Sequence, residues 1–125
     1  QSQVETAGAL YSRYLSQGLQ MHPRVSEVRV FGLLIGIELN LRHTLTARLG
    51  LKPAQLYLLR MMQHRRFPLL MGYCQYEPQI LKFTPPLTVT EAEIKASAEA
   101  IADALSTSQP RLLGCGLQSL LRSRR

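Results

Sequence analysis

The junction inside residues 81–105 constrains the fold more than any other part of this sequence. A short apolar run ends at the Pro85-Pro86 pair, which cannot continue a hydrogen-bonded central strand. Thr90 then offers a good N-cap, and Glu93 lies three residues further on, at the spacing of a capping box. The junction therefore predicts a strand, an exit from a sheet and a helix that begins after Thr90.

Three segments carry sequence signals of helices. The segment from Thr90 to Leu105 has apolar residues at spacings of four, three and four: Ile94, Ala98, Ile101 and Leu105. Residues 3–21 carry a similar stripe that ends at a His-Pro pair. Residues 53–65 are densely apolar and begin with a proline, which is typical of a first helical position. We therefore predict one helix in each segment.

Runs of β-branched and apolar residues predict two pairs of strands, with one long bent strand as the alternative for the first pair. Residues 25–31 and 33–39 flank Gly32, where we expect a hairpin bend, and residues 67–75 and 79–83 flank a turn at 76–78. Residues 40–51 indicate a loop with a helical turn. The order α-β-β-α-β-β-α predicts an α+β fold, in which helices cover one side of a small, mainly antiparallel sheet of three or four strands.

Length and charge divide the chain into a body and a tail. Its 125 residues suffice for about one domain and are few for an enzyme with two lobes. Residues 108–125 contain four arginines and no acidic residue, so they supply more than half of the net charge of +7. They also contain Gly114 and Gly116, each of which weakens a helix by roughly 1 kcal/mol. We therefore expect a folded body over 1–107 and a basic tail or linker over 108–125.

The signatures of self-contained catalysis are missing from the sequence. There is no glycine-rich phosphate loop, nucleophile elbow or dinucleotide fingerprint, and His22, His43 and His64 stand far apart in different elements. Tyr73 and Tyr76 are more typical of packing in a strand than of stacking on a ligand ring. We therefore expect no metal site and no complete active site.

The expected cellular setting rests on similar observations. The longest apolar run, 31–37, is too short to cross a bilayer, and the first residues do not form a signal-peptide pattern. Two cysteines are too few for a disulfide framework. We expect a protein of the reducing cytoplasm without a membrane partner.

An alternative function is a small basic module that binds nucleic acid. The element order is compatible with ferredoxin-like folds of this class, which use exposed aromatic residues and a basic face. However, the sequence lacks the Lys-Gly-Phe-x-Phe pattern of such modules, and its excess charge is concentrated in the tail. We therefore do not expect a nucleic-acid partner. Strong salt-dependent retention on RNA or DNA that survives deletion of 108–125 would favour this alternative.

Two motifs resemble a known family. EVRVFGLLIGIEL (27–39) is similar to Val-Arg-Gly-x-Gly-Leu-x-x-Gly-Ile-Glu-Leu, and ILKFTPPLTVTEAEI (80–94) is similar to (Leu/Ile)-Arg-Phe-x-Pro-Pro-Leu-Thr-Ile-Thr-Glu-x-Glu-Ile. Both patterns are typical of the class III, pyridoxal-phosphate-dependent aminotransferases of fold type I, such as the acetylornithine and ornithine enzymes. In that family both lie in the small C-terminal domain, which residues 1–107 therefore resemble. Val30 departs from the pattern, because the family has a glycine there.

The resemblance implies an incomplete enzyme. In this family the lysine that anchors pyridoxal phosphate belongs to the preceding large domain, as do most groups that bind the cofactor. The full-length protein is then expected to be a homodimer that transfers an amino group between an amine or amino acid and a carbonyl acceptor. The resemblance also implies that this chain alone has no catalytic residue, binds no cofactor and is inactive without the missing large domain.

Lys82 is the residue to which the resemblance gives a role. Many family members carry an arginine at this position that binds the substrate carboxylate, so Lys82 is implied to be a substrate-binding residue. An ammonium group is a point charge and lacks the two parallel hydrogen bonds of a guanidinium. The amino donor could therefore be a diamine or a carrier-bound chain instead of an amino acid. The alternative for Lys82 is a solvated strand lysine beside an acidic neighbour.

Overall fold

The chain forms five helices and four strands in the residues that a computed structural model describes, 3–63 and 73–123. Their order is α1 (Gln3–Leu19), β1 (Val25–Phe31), β2 (Leu34–Leu39), α2 (Leu45–Arg48), α3 (Pro53–Met62), β3 (Tyr73–Glu77), β4 (Ile80–Thr84), α4 (Glu91–Leu105) and α5 (Gln109–Ser123). The predicted α+β fold is confirmed, with α2 as the helical turn of the 40–51 loop. None of the helices in these two ranges is long and apolar enough to cross a membrane.

The four strands form one antiparallel sheet in the order β1-β2-β4-β3. Alternate residues of the two central strands are buried on one face: Ile35, Ile37, Leu39, Leu81 and Phe83. This period of two is expected of an antiparallel sheet that is covered on one side only. The predicted bend at Gly32 is confirmed, since Gly32 has a left-handed φ of 61°.

The second hairpin differs from the prediction at its turn. We expected residues 76–78 to form the turn, but β3 continues through Glu77, which pairs with Ile80 of β4. The ladder therefore leaves only Pro78 and Gln79 in the turn. The part of the predicted strand 67–75 that precedes Tyr73 lies outside the described residues.

Helices α1 and α3 pack on the buried face of the sheet, α1 on β1 and α3 on β3 and β4, and α4 packs on α1 and α3. The fully buried side chains of α1 and α4 include those of Tyr11, Leu15, Ile94 and Ile101. The two helices also meet at the surface, where the hydroxyl of Tyr14 donates to Glu91 Oε1 at 2.9 Å across 77 positions of sequence. α1 and α4 are thus direct neighbours.

The packing of α1 on the first hairpin depends on a glycine. Gly8 is buried in α1, and a Cβ atom added there would overlap the backbone carbonyl oxygen of Gly32. Backbone cannot yield as a flexible side chain can, so only glycine allows this close approach. At Gly18, near the other end of α1, an added Cβ would meet no atom within 4 Å.

The start of α4 agrees with the predicted capping box. The backbone N–H of Glu93 donates to Thr90 Oγ1 at 3.2 Å, and Glu93 Oε1 accepts from the backbone N–H of Thr90 at 3.0 Å. Two amides of the first turn are thereby satisfied by side chains, which fixes the residue at which the helix begins.

Residues 108–125, expected to be a basic tail or linker, contain the helix α5. Gln109 Oε1 accepts from Thr46 Oγ1 at 2.8 Å, and Gln109 Nε2 donates to the hydroxyl of Tyr57 at 3.0 Å. Leu112 is fully buried. A Cβ at Gly116 would lie 2.8 Å from Leu56 Cδ2, so this glycine, counted above as a cost to the helix, also brings α5 close to α3. At least the first half of α5 therefore packs on the body.

Candidate substrate-facing site on the open sheet face

The sheet has a second face that no helix covers in the described residues, which we name the open sheet face. Strand register places its side chains in rows that run across the strands. The rows are Phe31 and Leu34; Arg29, Gly36, Lys82 and Gln75; and Glu27, Glu38, Ile80 and Glu77. An apolar row, a basic row and an acidic row therefore lie side by side on one surface.

Lys82 lies near the middle of the basic row. It pairs with Gly36 of β2 on one side and with Gln75 of β3 on the other. Its Nζ donates to Glu77 Oε1 at 2.9 Å, and about a third of the side chain is exposed (35%). Such a solvated ion pair is worth only about 0–1 kcal/mol, so exchanging Glu77 for another anion costs little. The acidic neighbour of Lys82 is thus Glu77, and the substrate-binding role of Lys82 stays a prediction.

The other cation of the basic row, Arg29, is paired in the same manner. Its Nη2 donates to Glu27 Oε2 at 2.8 Å along the edge strand β1. This hydrogen bond from Arg29 holds the pKa of the Glu27 carboxyl below its usual range. Both cations of the row therefore have a carboxylate partner from the acidic row.

Gly36 separates these two cations on the central strand β2. No atom lies within 4 Å of the position that a Cβ would take there, so the surface above Gly36 is open. A negative group above Gly36 would have Arg29 on one side and Lys82 on the other. The arrangement can hold an anion only by competition with Glu27 and Glu77.

The apolar row lies at the turn end of the first hairpin. The side chain of Phe31 is 86% exposed and that of Leu34 is 50% exposed. An aromatic and an aliphatic side chain exposed next to each other are typical of a surface that another polypeptide segment covers. The open sheet face therefore combines exposed apolar area with charges of both signs.

The cofactor implied by the resemblance does not fit the described residues. The three lysines are Lys52, Lys82 and Lys95. Lys52 precedes α3 beside an apolar cleft, Lys82 is held by Glu77, and Lys95 borders a groove with the carboxylates of Glu99 and Asp103. These carboxylates would repel a phosphate group, and the cleft beside Lys52 is lined mainly by leucines, with Gln55 as its other side-chain donor, so it does not form a phosphate cradle. We therefore derive no catalytic step through pyridoxal phosphate from this chain.

The histidines do not converge in the described part of the chain. His22 accepts a hydrogen bond at Nδ1 from the backbone N–H of Arg24, so its proton is on Nε2, which lies 3.1 Å from Ser106 Oγ. Burial lowers the pKa of His22. His43 lies in the loop before α2, and His64 lies outside the described residues, as do the side chains of Tyr73 and Tyr76. No three metal-binding side chains cluster in the described ranges.

Comparison with known proteins defines the fold more closely. No protein-family model matches the sequence. An ornithine aminotransferase from Plasmodium yoelii shares 20% identity, with a TM-score of 0.60 over 82% of this chain and 24% of that chain. An (S)-enantioselective omega-transaminase from Thermomicrobium roseum shares 25% identity, with a TM-score of 0.62 over 83% of this chain and 22% of that chain. An acetylornithine aminotransferase from Elizabethkingia anophelis shares 19% identity, with a TM-score of 0.59 over 82% and 23%.

The chain is thus a small α+β domain with an antiparallel sheet and helices on one face. More specifically, its fold is that of a part of the ornithine and acetylornithine aminotransferase structures, and the resemblance seen in the two motifs is confirmed at the level of the fold. The chain spans about a quarter of the length of the aminotransferases that it matches. Activity, substrates and partners of a whole enzyme are therefore matters for a proposal.

Proposed function

We propose that this chain is the small C-terminal domain of a pyridoxal-phosphate-dependent class III aminotransferase. The observation that carries the proposal is the match to aminotransferase structures over 82% of this chain and only 24% or less of theirs. The two motifs at 27–39 and 80–94 support the same family. The full-length enzyme is then a cytoplasmic homodimer that transfers an amino group between an amine or amino acid and a carbonyl acceptor.

The open sheet face is the surface that the rest of the enzyme covers in this proposal. Phe31 and Leu34 offer exposed apolar area there, and the acidic and basic rows offer charges that can be matched by a partner surface. Because helices cover the opposite face, a large domain can contact the strands on this face. The large domain supplies the cofactor and the lysine that anchors it.

Lys82 binds a negative group of the substrate in the assembled enzyme. Glu77 holds its ammonium group at 2.9 Å in the chain alone, and a substrate anion replaces Glu77 when substrate binds between this domain and the large domain. Because an ammonium group is not bidentate, this contact sets the charge of the accepted substrate more than its geometry. The contact contributes to binding and orientation rather than to proton transfer.

Activity and cofactor content test the proposal directly. The chain is produced alone and joined to the coding region that precedes it in its gene, and amino transfer and bound pyridoxal phosphate are measured for both. We expect the longer protein to contain the cofactor and to transfer amino groups, and the 125-residue chain to do neither. Stoichiometric cofactor that borohydride fixes to Lys52, Lys82 or Lys95 of the short chain would contradict the proposal.

The Lys82→Met variant of the longer protein tests the substrate contact. It keeps most of the aliphatic side chain and removes the charge, so kcat/KM for the acidic partner should fall about tenfold to a hundredfold, or about 1.4–2.8 kcal/mol. Lys82→Arg should equal or exceed the parent with an α-amino acid donor, and Lys95→Met on α4 serves as the control. If Lys82→Met turns over every donor and acceptor like the parent, Lys82 is a solvated strand residue.

A further inference from the structure

The charges of this chain are separated along its sequence. Segments 40–76 and 104–125 together contain ten of the fifteen Lys and Arg residues and none of the eight Asp and Glu residues. The remaining segments, 1–39 and 77–103, contain five cations and all eight carboxylates. One part of the chain is therefore strongly basic, and the other is mildly acidic.

The fold brings the two acid-free segments together. α5 from the second segment packs on α2 and α3 from the first, through the hydrogen bonds of Gln109 to Thr46 and Tyr57 and through the close approach of Gly116 to Leu56. We name this unit, residues 45–62 with 109–123, the basic lobe. Within the described residues its exposed cations Arg48, Lys52 and Arg111 form no ion pair, whereas both described ion pairs lie on the open sheet face.

The basic lobe also exposes leucines beside its cations. Leu51 (40% exposed) and Leu117 (56% exposed) border the same cleft as Lys52, a cavity of about 220 Å³ between α3 and α5. Leu49, next to Arg48, is 56% exposed. The described aromatic side chain of the lobe, that of Tyr57, is fully buried.

We propose that the basic lobe docks this protein on an anionic lipid surface. Lysine and arginine attract acidic headgroups, and leucines between them enter the boundary between headgroups and acyl chains. Bases of a nucleic acid would instead call for exposed aromatic side chains, which the described lobe lacks. The expectation of no membrane partner rested on the lack of a spanning segment, which such surface contact does not need. The proposal is independent of the aminotransferase proposal, because no residue of the lobe lies on the open sheet face.

Cosedimentation of the 125-residue chain with vesicles tests the proposal. Vesicles of phosphatidylcholine alone are compared with vesicles that also contain phosphatidylglycerol. We expect binding only to the second kind, and weaker binding as salt rises. Arg48→Gln with Lys52→Gln should weaken binding by about fivefold for each removed charge. The control, Arg13→Gln on α1, removes an exposed arginine outside the lobe and should leave binding unchanged.

Leucine variants distinguish a lipid surface from other polyanions. Leu51→Ser with Leu117→Ser should weaken vesicle binding at least tenfold at unchanged charge, whereas Leu87→Ser, outside the lobe, should not; circular dichroism verifies that each variant is folded. Equal binding to both kinds of vesicle, or no binding to either, would overturn the proposal. So would an effect of the charge variants without an effect of the leucine variants, or tighter binding to single-stranded RNA than to the acidic vesicles.

Discussion

Helices α4 and α5 both contain fifteen residues, yet different kinds of interaction hold them. The start of α4 is held by Thr90 and Glu93. The side chain of each accepts a hydrogen bond from the backbone N–H of the other, within one turn. α5 begins at Gln109, whose partners Thr46 and Tyr57 lie 63 and 52 positions away. The position at which α4 starts is thus encoded locally, whereas α5 depends on a surface that the rest of the chain must first build.

The difference explains why a glycine-containing, basic segment is helical at all. An isolated helix of this length is marginal in water, and Gly114 and Gly116 weaken it further. Burial of Leu112 and the contacts of Gln109 supply the missing stabilisation. α5 should therefore respond strongly to changes in its contacts, and α4 should respond to changes in its cap.

The largest effect is expected for Leu112→Ala. Leu112 is fully buried, so its truncation should lower the free energy of unfolding by about 2–5 kcal/mol and reduce helical circular dichroism as α5 detaches. Leu117→Ala, on an exposed position of the same helix, should change stability by less than about 0.5 kcal/mol. Similar denaturant midpoints for the two variants would show that α5 is not held by its buried leucine.

Alkaline pH tests the packing beneath α4. Burial raises the pKa of Tyr11 to about 12, from 10.0 in the unfolded chain. The folded state therefore keeps the Tyr11 proton to higher pH than the unfolded chain does. The contribution of Tyr11 to the free energy of unfolding is intact below pH 10, and the free energy falls by about 2–3 kcal/mol as the pH rises from 10 through 12. Urea unfolding at both ends of this range measures the loss. Tyr11→Phe should lose less stability over the same range, and an equal loss would mean that Tyr11 is not the group that titrates.

Gln109→Ala tests the start of α5. The change leaves the backbone N–H and hydroxyl of Thr46 without their partner in a buried position, which should cost about 1–3 kcal/mol. Gln118→Ala, at an exposed position of α5, is the matched control. An unchanged free energy of unfolding in chemical denaturation would assign the docking of α5 to its leucines alone.

Thr90→Ala should have the smallest of these effects, about 1 kcal/mol, because it removes one acceptor for a first-turn amide and leaves the core intact. Thr90→Ser keeps that acceptor and should behave like the parent. Thermal unfolding of the three proteins makes the measurement. If Thr90→Ala loses more stability than Gln109→Ala, the local cap of α4 contributes more than the long-range hydrogen bonds of α5, contrary to this comparison.

The sequence was informative wherever the deciding groups are close together in the chain. The Thr90 cap, the bend at Gly32 and the proline at the start of α3 each depend on a few adjacent residues, and the elements next to them begin within one residue of the prediction, although α3 ends at Met62, three residues before the predicted end at 65. The hydrogen bonds of Thr46 and Tyr57 with Gln109 could not be predicted, because no local sequence pattern relates positions so far apart.

The candidate site was predicted only in part for the same reason. The motif around Pro85 and Pro86 points to Lys82, but the sequence pattern predicts a turn at 76–78, which includes its partner Glu77. With a turn of only Pro78 and Gln79, residues 77 and 82 become diagonal neighbours on adjacent strands, which is the geometry of a cross-strand ion pair. The sequence therefore identified the cation, Lys82, whereas only the strand register identified its carboxylate partner, Glu77.

The contacts between the first helix and α4 impose an order on folding during synthesis. Tyr14 reaches Glu91 across 77 positions, and His22 reaches Ser106 across 84. When the ribosome has synthesised only α1 and the first hairpin, α4 does not yet exist and cannot pack on α1. Since so distant a contact must close a long loop before it contributes stability, the face of α1 that packs on α4 stays uncovered until α4 has been synthesised.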